Sequence, residues 1–242
     1  METIFDDPQT KESLSKIEKA FLKISSDPKI LAEFPSLEKT ASEYSELARK
    51  GYNDDTELAF LNFYCDIHGA GSGYTESERE VLDDKHGYFN HPGGISPLLR
   101  AKQYLKQQHV SADLGAGNGL QGLLFQYLYP HEKTVQIELS GELIRIGKMF
   151  QAALEIPEEK IQWINDDILN IDLANIDFLY LYRPSKPIKS GITLYENLKI
   201  KLNNRSKPLT IFSIADCLKD YLNSDYKEFY NDGHLTCFNF VS

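Results

Sequence analysis

The sequence predicts an α/β protein: a doubly wound, seven-stranded mixed sheet whose last strand is antiparallel, preceded by an N-terminal helical segment. Three observations predict it. From Val110 onward, short apolar runs alternate with stretches of helical length, the pattern of a parallel sheet covered on both faces. A glycine-rich loop leaves the first of those runs and opens a helix. The chain then ends in two strand-like runs joined by Asn231-Asp232-Gly233, a hairpin signal.

The first part of the chain reads as helical. Asp7-Pro8 offers an N-cap followed by proline in the first turn. Leu14, Ile17, Phe21 and Ile24 then recur on one helical face. Asp27-Pro28 repeats the start signal for a short segment reaching Phe34. Leu37, Ala41, Tyr44 and Leu47 mark a third helix that stops at Gly51. Leu58, Leu61, Tyr64 and Cys65 mark a fourth by their spacing, and Thr75 to Glu78 has the spacing of a capping box. The turn formers between His86 and Gly94 read as a loop, and Ser96-Pro97 starts a helix running to about Gln107. Residues 1–95 are therefore read as a helical cap that shapes a substrate site, and 96–242 as the core domain.

In the core, strands are expected at 110–114, 134–138, 160–164, 177–182, 209–215, 226–230 and 234–241. Helices are expected at 119–128, at 140–154 with Ser140 as cap, at 192–202, and briefly at 216–222.

Bulk properties narrow the function classes. With 242 residues, 41% of them hydrophobic, the chain can bury a substantial core. A formal net charge of -10 argues against nucleic acid as a partner, because such binders gain affinity by neutralising phosphates, and against an anionic membrane surface. Cys65, Cys217 and Cys237 are far apart and lack metal-ligand spacing, so reduced thiols are expected and no metal site. The first residues lack the basic and apolar regions of a signal peptide, and no apolar run reaches the roughly 18 residues that span a bilayer. A cytoplasmic protein is the expectation.

The informative stretch is Asp113-Leu114-Gly115-Ala116-Gly117-Asn118-Gly119. Glycines there let backbone approach a ligand, and the helix beyond offers free N–H groups. A dinucleotide loop needs GxGxxG to seat a pyrophosphate; Gly115 and Gly117 fit, but the third position is Leu120. Asp113 disfavours a diphosphate and suits a ligand carrying an ammonium group. A second GxGxG, at Gly69, Gly71 and Gly73, follows a helix instead of a strand and reads as a flexible connection.

These residues resemble the Rossmann-like class I S-adenosylmethionine-dependent methyltransferases, whose first motif, acid-x-Gly-x-Gly-x-Gly, is matched by Asp113, Gly115, Gly117 and Gly119. The resemblance covers about 96–242 and extends to the reversed final strand. It implies S-adenosyl-L-methionine as cofactor, with Ala116 and Asn118 also in the binding loop. It implies that Glu138, closing the second strand, takes both ribose hydroxyls. It implies that Asp167, with Asp166 as the alternative, reads the adenine amino group, and that the backbone of Ile168 meets adenine.

In that family the methyl lies near the end of the fourth strand, here Tyr182-Arg183-Pro184. The Asn- or Asp-Pro-Pro-aromatic signature of nucleic-acid amine methyltransferases is missing there. Tyr182 and Arg183 are the catalytic-site candidates, as groups that orient substrate; Arg183 suits a carboxylate or phosphate. His86 and His91 are candidate bases or linings of the mouth, and Tyr88 and Phe89 candidates to stack near the cofactor. Methyl transfer is a direct displacement that proximity can largely drive, so no universal catalytic residue is expected. The leading expectation is a methyltransferase acting on a small-molecule or protein acceptor. Two others stay open: a non-catalytic S-adenosylmethionine sensor or assembly protein, and another nucleoside-using enzyme on the same fold, such as an aminopropyltransferase or a nicotinamide oxidoreductase.

Overall fold

A computed structural model describes residues 8–71, 73–88 and 91–240. The Asp7 cap and Phe89 lie outside the described residues. The N-terminal helices are α1 (Pro8–Ile24), α2 (Pro28–Glu33), α3 (Ser36–Lys50), α4 (Asp54–Gly69) and α5 (Glu76–Asp84). Their starts are written locally. Asp27 accepts hydrogen bonds from the Lys29 and Ile30 amides, Asn53 from Thr56, and Thr75 with Glu78 closes a capping box.

Then follow α6 (Ser96–Ala101), β1 (Val110–Leu114), α7 (Leu120–Leu128), β2 (Lys133–Glu138), α8 (Gly141–Ala153), β3 (Ile161–Asn165), β4 (Phe178–Tyr182), α9 (Ser190–Asn203), β5 (Thr210–Ile214), β6 (Tyr226–Asn231) and β7 (Leu235–Phe240). The sheet order is β3-β2-β1-β4-β5-β7-β6. All neighbours through β5 are parallel, and β7 runs antiparallel to both β5 and β6. The seven strands and the reversed last one are as the sequence predicts.

Alternation along β4 explains why it reads as one apolar run. Phe178 and Tyr180 point into the core shared with α7 and the N-terminal helices, while Leu179 and Leu181 point into the core under α9. On the first face, Phe21 of α1 packs 5.4 to 5.8 Å from the rings of Phe60, Phe63 and Tyr64. Each fully buried side chain of this size contributes about 1.5–3 kcal/mol. One continuous cluster thus runs from Ile17 and Phe21 to Phe178 and Phe212.

Three elements differ from expectation. In α4 the buried residues include Phe63, Tyr64 and Ile67, whereas Leu58, Leu61 and Cys65 face outward. Apolar residues stand on more than one side of this helix, and packing against α1 and α3 chooses the face. The helix from Ser96 ends at Ala101, because the Tyr104 and Leu105 amides both turn back onto the Ala101 carbonyl, at 2.9 Å each. That turn sets Tyr104 against Phe212 and Phe229. Residues 216–222 form turns, since Asp216 Oδ1 accepts from the Leu218 amide (3.0 Å) and from Ser213 Oγ (2.9 Å), an Asx turn that competes with helix.

Candidate functional site

The loops after β1, β2, β3, β4 and β5 gather at one sheet edge. The strand order reverses between β1 and β4, the place where open α/β sheets form a crevice. A cleft of about 270 Å³ lies there.

Its floor is the loop after β1. Gly115, Gly117 and Gly119 have φ of 78°, 60° and 72°, the left-handed region that glycine enters without cost. The Gly115 and Ala116 amides donate to the Ile137 carbonyl (3.0 and 2.9 Å), and the Gly117 amide donates to Glu138 Oε2 (2.8 Å). Glu138 Oε1 accepts from the Ser140 amide at 2.9 Å. Burial raises the Glu138 pKa, opposed by those amides. The acid closing β2 therefore stands directly beside the glycine turn.

Asp113 lies at the inner end, between Gln136 of β2 and Tyr180 of β4 in register. Its Oδ2 and the Tyr180 hydroxyl are buried and lack hydrogen-bond partners. Burial, then the nearby Glu138, pushes the Asp113 carboxyl up to about 8. His68, Gly93 and Gln121 complete this inner lobe, and burial followed by His91 pushes His68 down to about 4.

Asp167 also lines the cleft. Its Oδ1 accepts from the Leu169 amide (2.9 Å) and its Oδ2 pairs with Lys85 Nζ (2.5 Å). Ile168 lines the wall beside it. Asp166 does not: its Oδ1 accepts from the Asp167 amide and from Asn170 Nδ2 on the outside.

The roof is formed by residues 74–88 and 91–93. It is tied to the β4–α9 loop by Tyr88 N to the Pro184 carbonyl (3.2 Å), Lys186 N to the His86 carbonyl (2.8 Å) and Ser185 Oγ to the Lys85 carbonyl (2.6 Å). Under it, the outer lobe holds Tyr88, His91, Tyr182, Arg183 and Leu194. The Tyr182 ring sits between His91 and His234, at 6.2 and 6.0 Å between centroids. Arg183, at φ 27°, and Ala215, at φ 49°, are non-glycine residues in the left-handed region at the ends of β4 and β5, and both line the cleft. Such costly backbone is held only where packing enforces it.

Of the residues singled out from sequence, Asp113, Gly115, Ala116, Gly117, Glu138, Asp167, Ile168, Tyr182, Arg183, Tyr88 and His91 come together around this cleft. Asn118 and Gly119 do not line it. Asn118 Nδ2 lies 3.0 to 3.1 Å from the carbonyls of Ile67, His68 and Ala70, tying the end of α4 to the loop. The Gly69–Gly73 connection is thus fastened to the glycine loop through its backbone. A Cβ on Gly119 would stand 2.2 Å from Trp163, so that glycine permits helix-to-sheet packing. His86 is outside the lining, its Nδ1 2.9 Å from the Asp83 carbonyl. Sequence reasoning missed Tyr180, Lys85, His68, Gln121 and Ala215. Tyr180 had a signal, since strand alternation puts it on the face of Phe178 and Tyr182. Lys85 had none.

Among the described residues, no group of three or more His, Cys, Asp or Glu is placed to hold a metal ion, and no helix is long and apolar enough to cross a membrane. No protein-family model matches the chain, and no curated protein does. Similar solved structures include an RNA methyltransferase from Salinibacter ruber in complex with S-adenosyl-L-homocysteine, 15% identical over 60% of this chain and 88% of that one, TM-score 0.47. An rRNA methylase from Streptococcus thermophilus is 15% identical over 61% of this chain and 95% of that one, TM-score 0.44. MtNAS in complex with MTA and tNA is 13% identical over 99% of this chain and 79% of that one, TM-score 0.44. At these TM-scores the likeness carries no argument, and the fold assignment rests on the sheet order with its reversed β7. The fold is that of the class I methyltransferases. The expectation that nucleic acid is an improbable partner does not stand: two of these structures are RNA methyltransferases. Bulk charge is a poor guide because acceptor binding depends on the local surface around the cleft.

Proposed function

We propose that the protein is an S-adenosyl-L-methionine-dependent methyltransferase whose acceptor enters the cleft beside Tyr182 and Arg183. The observation that carries this is the unpartnered, buried Asp113 Oδ2 at one end of a cleft whose middle holds the Glu138 carboxylate against the glycine turn. Burial and the neighbouring Glu138 make Asp113 costly to ionise, a cost that a ligand's ammonium group would offset, and the Glu138 carboxylate disfavours a phosphate there. A ligand with an ammonium end and an uncharged ribose fits this donor set; a dinucleotide does not.

In this reading Asp113 and the Tyr180 hydroxyl meet the amino-acid end. Glu138 accepts from the ribose hydroxyls, and Asp167 with the Ile168 backbone faces adenine. The Gly115 to Gly117 backbone lies flat beneath. S-adenosyl-L-methionine supplies an electrophilic methyl group for direct displacement. The protein's residues bind, align and dehydrate: the roof excludes water, and Tyr182 and Arg183 orient the acceptor. Tyr182 and Arg183 line the same cleft as Glu138 and Asp167, which supports a transferase over a sensor that only binds. The helices of residues 1–95 shape that outer lobe.

Thermal-shift measurements with S-adenosyl-L-methionine, S-adenosyl-L-homocysteine and NAD test the cofactor, and release of S-adenosyl-L-homocysteine over a panel of metabolites, peptides and RNA tests the transfer. Stabilisation by the two sulfur nucleosides is expected; stabilisation by NAD alone overturns the reading.

A further inference from the structure

The cleft lining includes a cation, Arg183, with no ion pair among the described residues. Arg183 Nε is buried and donates to nothing among the described residues. Its guanidinium carbon stands 5.6 Å from the Tyr88 ring centroid, and Lys186 Nζ stands 5.6 Å from the same centroid. Lys85, which also lines the cleft, pairs with Asp167; Arg100, whose Nε is likewise buried without a hydrogen-bond partner, stacks on Tyr230 and does not line the cleft. The left-handed backbone at Arg183 fixes the side chain at the end of β4, within the cleft lining, in a conformation that costs energy to hold. Leaving a buried guanidinium nitrogen unsatisfied also costs energy. Two costs at one residue that lines a cavity point to a group that arrives with the substrate.

The surroundings select the group. The lobe beside Arg183 is lined by the Tyr182 and Tyr88 rings, Pro184, Leu194 and Ala215, so the remainder of the ligand meets apolar and aromatic surface. A planar guanidinium fork matches a planar carboxylate. A singly charged carboxylate is favoured over a doubly charged phosphate because it brings less negative charge toward Glu138 in the same cleft.

Resting on the methyltransferase reading above, we infer that the acceptor is a small carboxylic acid, its carboxylate held by Arg183 and its body lying along Tyr182 and Leu194. Arg183 is then the residue that determines substrate class, and Tyr88 is the ring that keeps the guanidinium in place.

The test uses the full chain saturated with S-adenosyl-L-homocysteine. Calorimetry is run with a panel of small aliphatic, aromatic and amino carboxylic acids, each beside its primary amide, and with inorganic phosphate as a separate arm. Acids are expected to bind about tenfold or more tightly than their amides, the loss expected for one charge-assisted pair. Phosphate is expected not to bind. Arg183→Met should erase the preference for acids, Arg183→Lys should keep part of it, and both should bind S-adenosyl-L-homocysteine as the unaltered protein does. Equal binding of acids and amides, no acid binding at all, phosphate binding in their place, or a preference that survives Arg183→Met overturns the inference. Failure of S-adenosyl-L-homocysteine to bind in the first step instead defeats the cofactor reading, so the two failures are distinguishable.

Discussion

The Gly117 amide donates to Glu138 Oε2 across 2.8 Å, joining the glycine turn after β1 to the acid that ends β2. Glu138 Oε1 takes the Ser140 amide, so one carboxylate fixes two loops at the floor of the cleft. Each carboxylate oxygen keeps further acceptor capacity for a ligand. Structure and proposed binding therefore meet in one side chain.

Asp167 and Asp166 are neighbours in sequence and separate in role. Asp167 lines the cleft, while Asp166 bonds Asn170 outside it. Asp167→Ala is expected to weaken S-adenosyl-L-homocysteine binding by about ten- to a hundredfold, the value of a hydrogen bond to a charged group. Asp166→Ala is expected to leave it unchanged. Equal effects in calorimetry would remove Asp167 from the adenine site.

Gly119 carries both a left-handed φ and a close approach to Trp163. Gly119→Ala should lower stability by about 2–4 kcal/mol, combining left-handed strain with overpacking. In a Trp163→Leu background the added cost of Gly119→Ala should shrink to about 1–2 kcal/mol, the strain that remains together with the approach to Gln136 Nε2 at 2.9 Å. Denaturant melts of the four proteins measure this; an unchanged cost would show that the ring is not the obstacle.

His131 is buried, its Nε2 2.8 Å from Ser111 Oγ and 2.9 Å from Thr134 Oγ1. Burial pushes it down to about 4, as it does His68. A histidine with a lowered folded pKa binds its proton more readily when unfolded. The stability is therefore present above the unfolded pKa of 6.5 and is lost as pH falls from there toward about 4. Each histidine accounts for up to on the order of 3 kcal/mol across that window. Urea midpoints should fall between pH 7 and pH 5; a constant midpoint would contradict neutral burial of both rings.

Much of this was legible in the sequence, for reasons that differ by element. The strands were readable because both faces of β1 and β4 are buried, which forces apolar runs. The glycine loop and Glu138 were readable because a positive φ demands glycine and a strand-end acid stands at a fixed spacing from it. The outward Leu58, Leu61 and Cys65 were not, since the partners of α4 choose its face and periodicity does not. Nor was the Lys85–Asp167 pair, which joins residues 82 apart through the folding of the roof. The halt of α6 at Ala101 and the Asx turn at Asp216 turn on local hydrogen bonds that composition does not rank.

The most direct measurement is calorimetric titration of S-adenosyl-L-homocysteine into the unaltered protein and into Glu138→Gln, with circular dichroism to confirm that both are folded. The account predicts saturable binding by the unaltered chain and affinity reduced about tenfold or more in the variant, because an amide loses the charge and one acceptor oxygen. Equal affinity in the two folded proteins, or binding of NAD with none of the sulfur nucleoside, would contradict it.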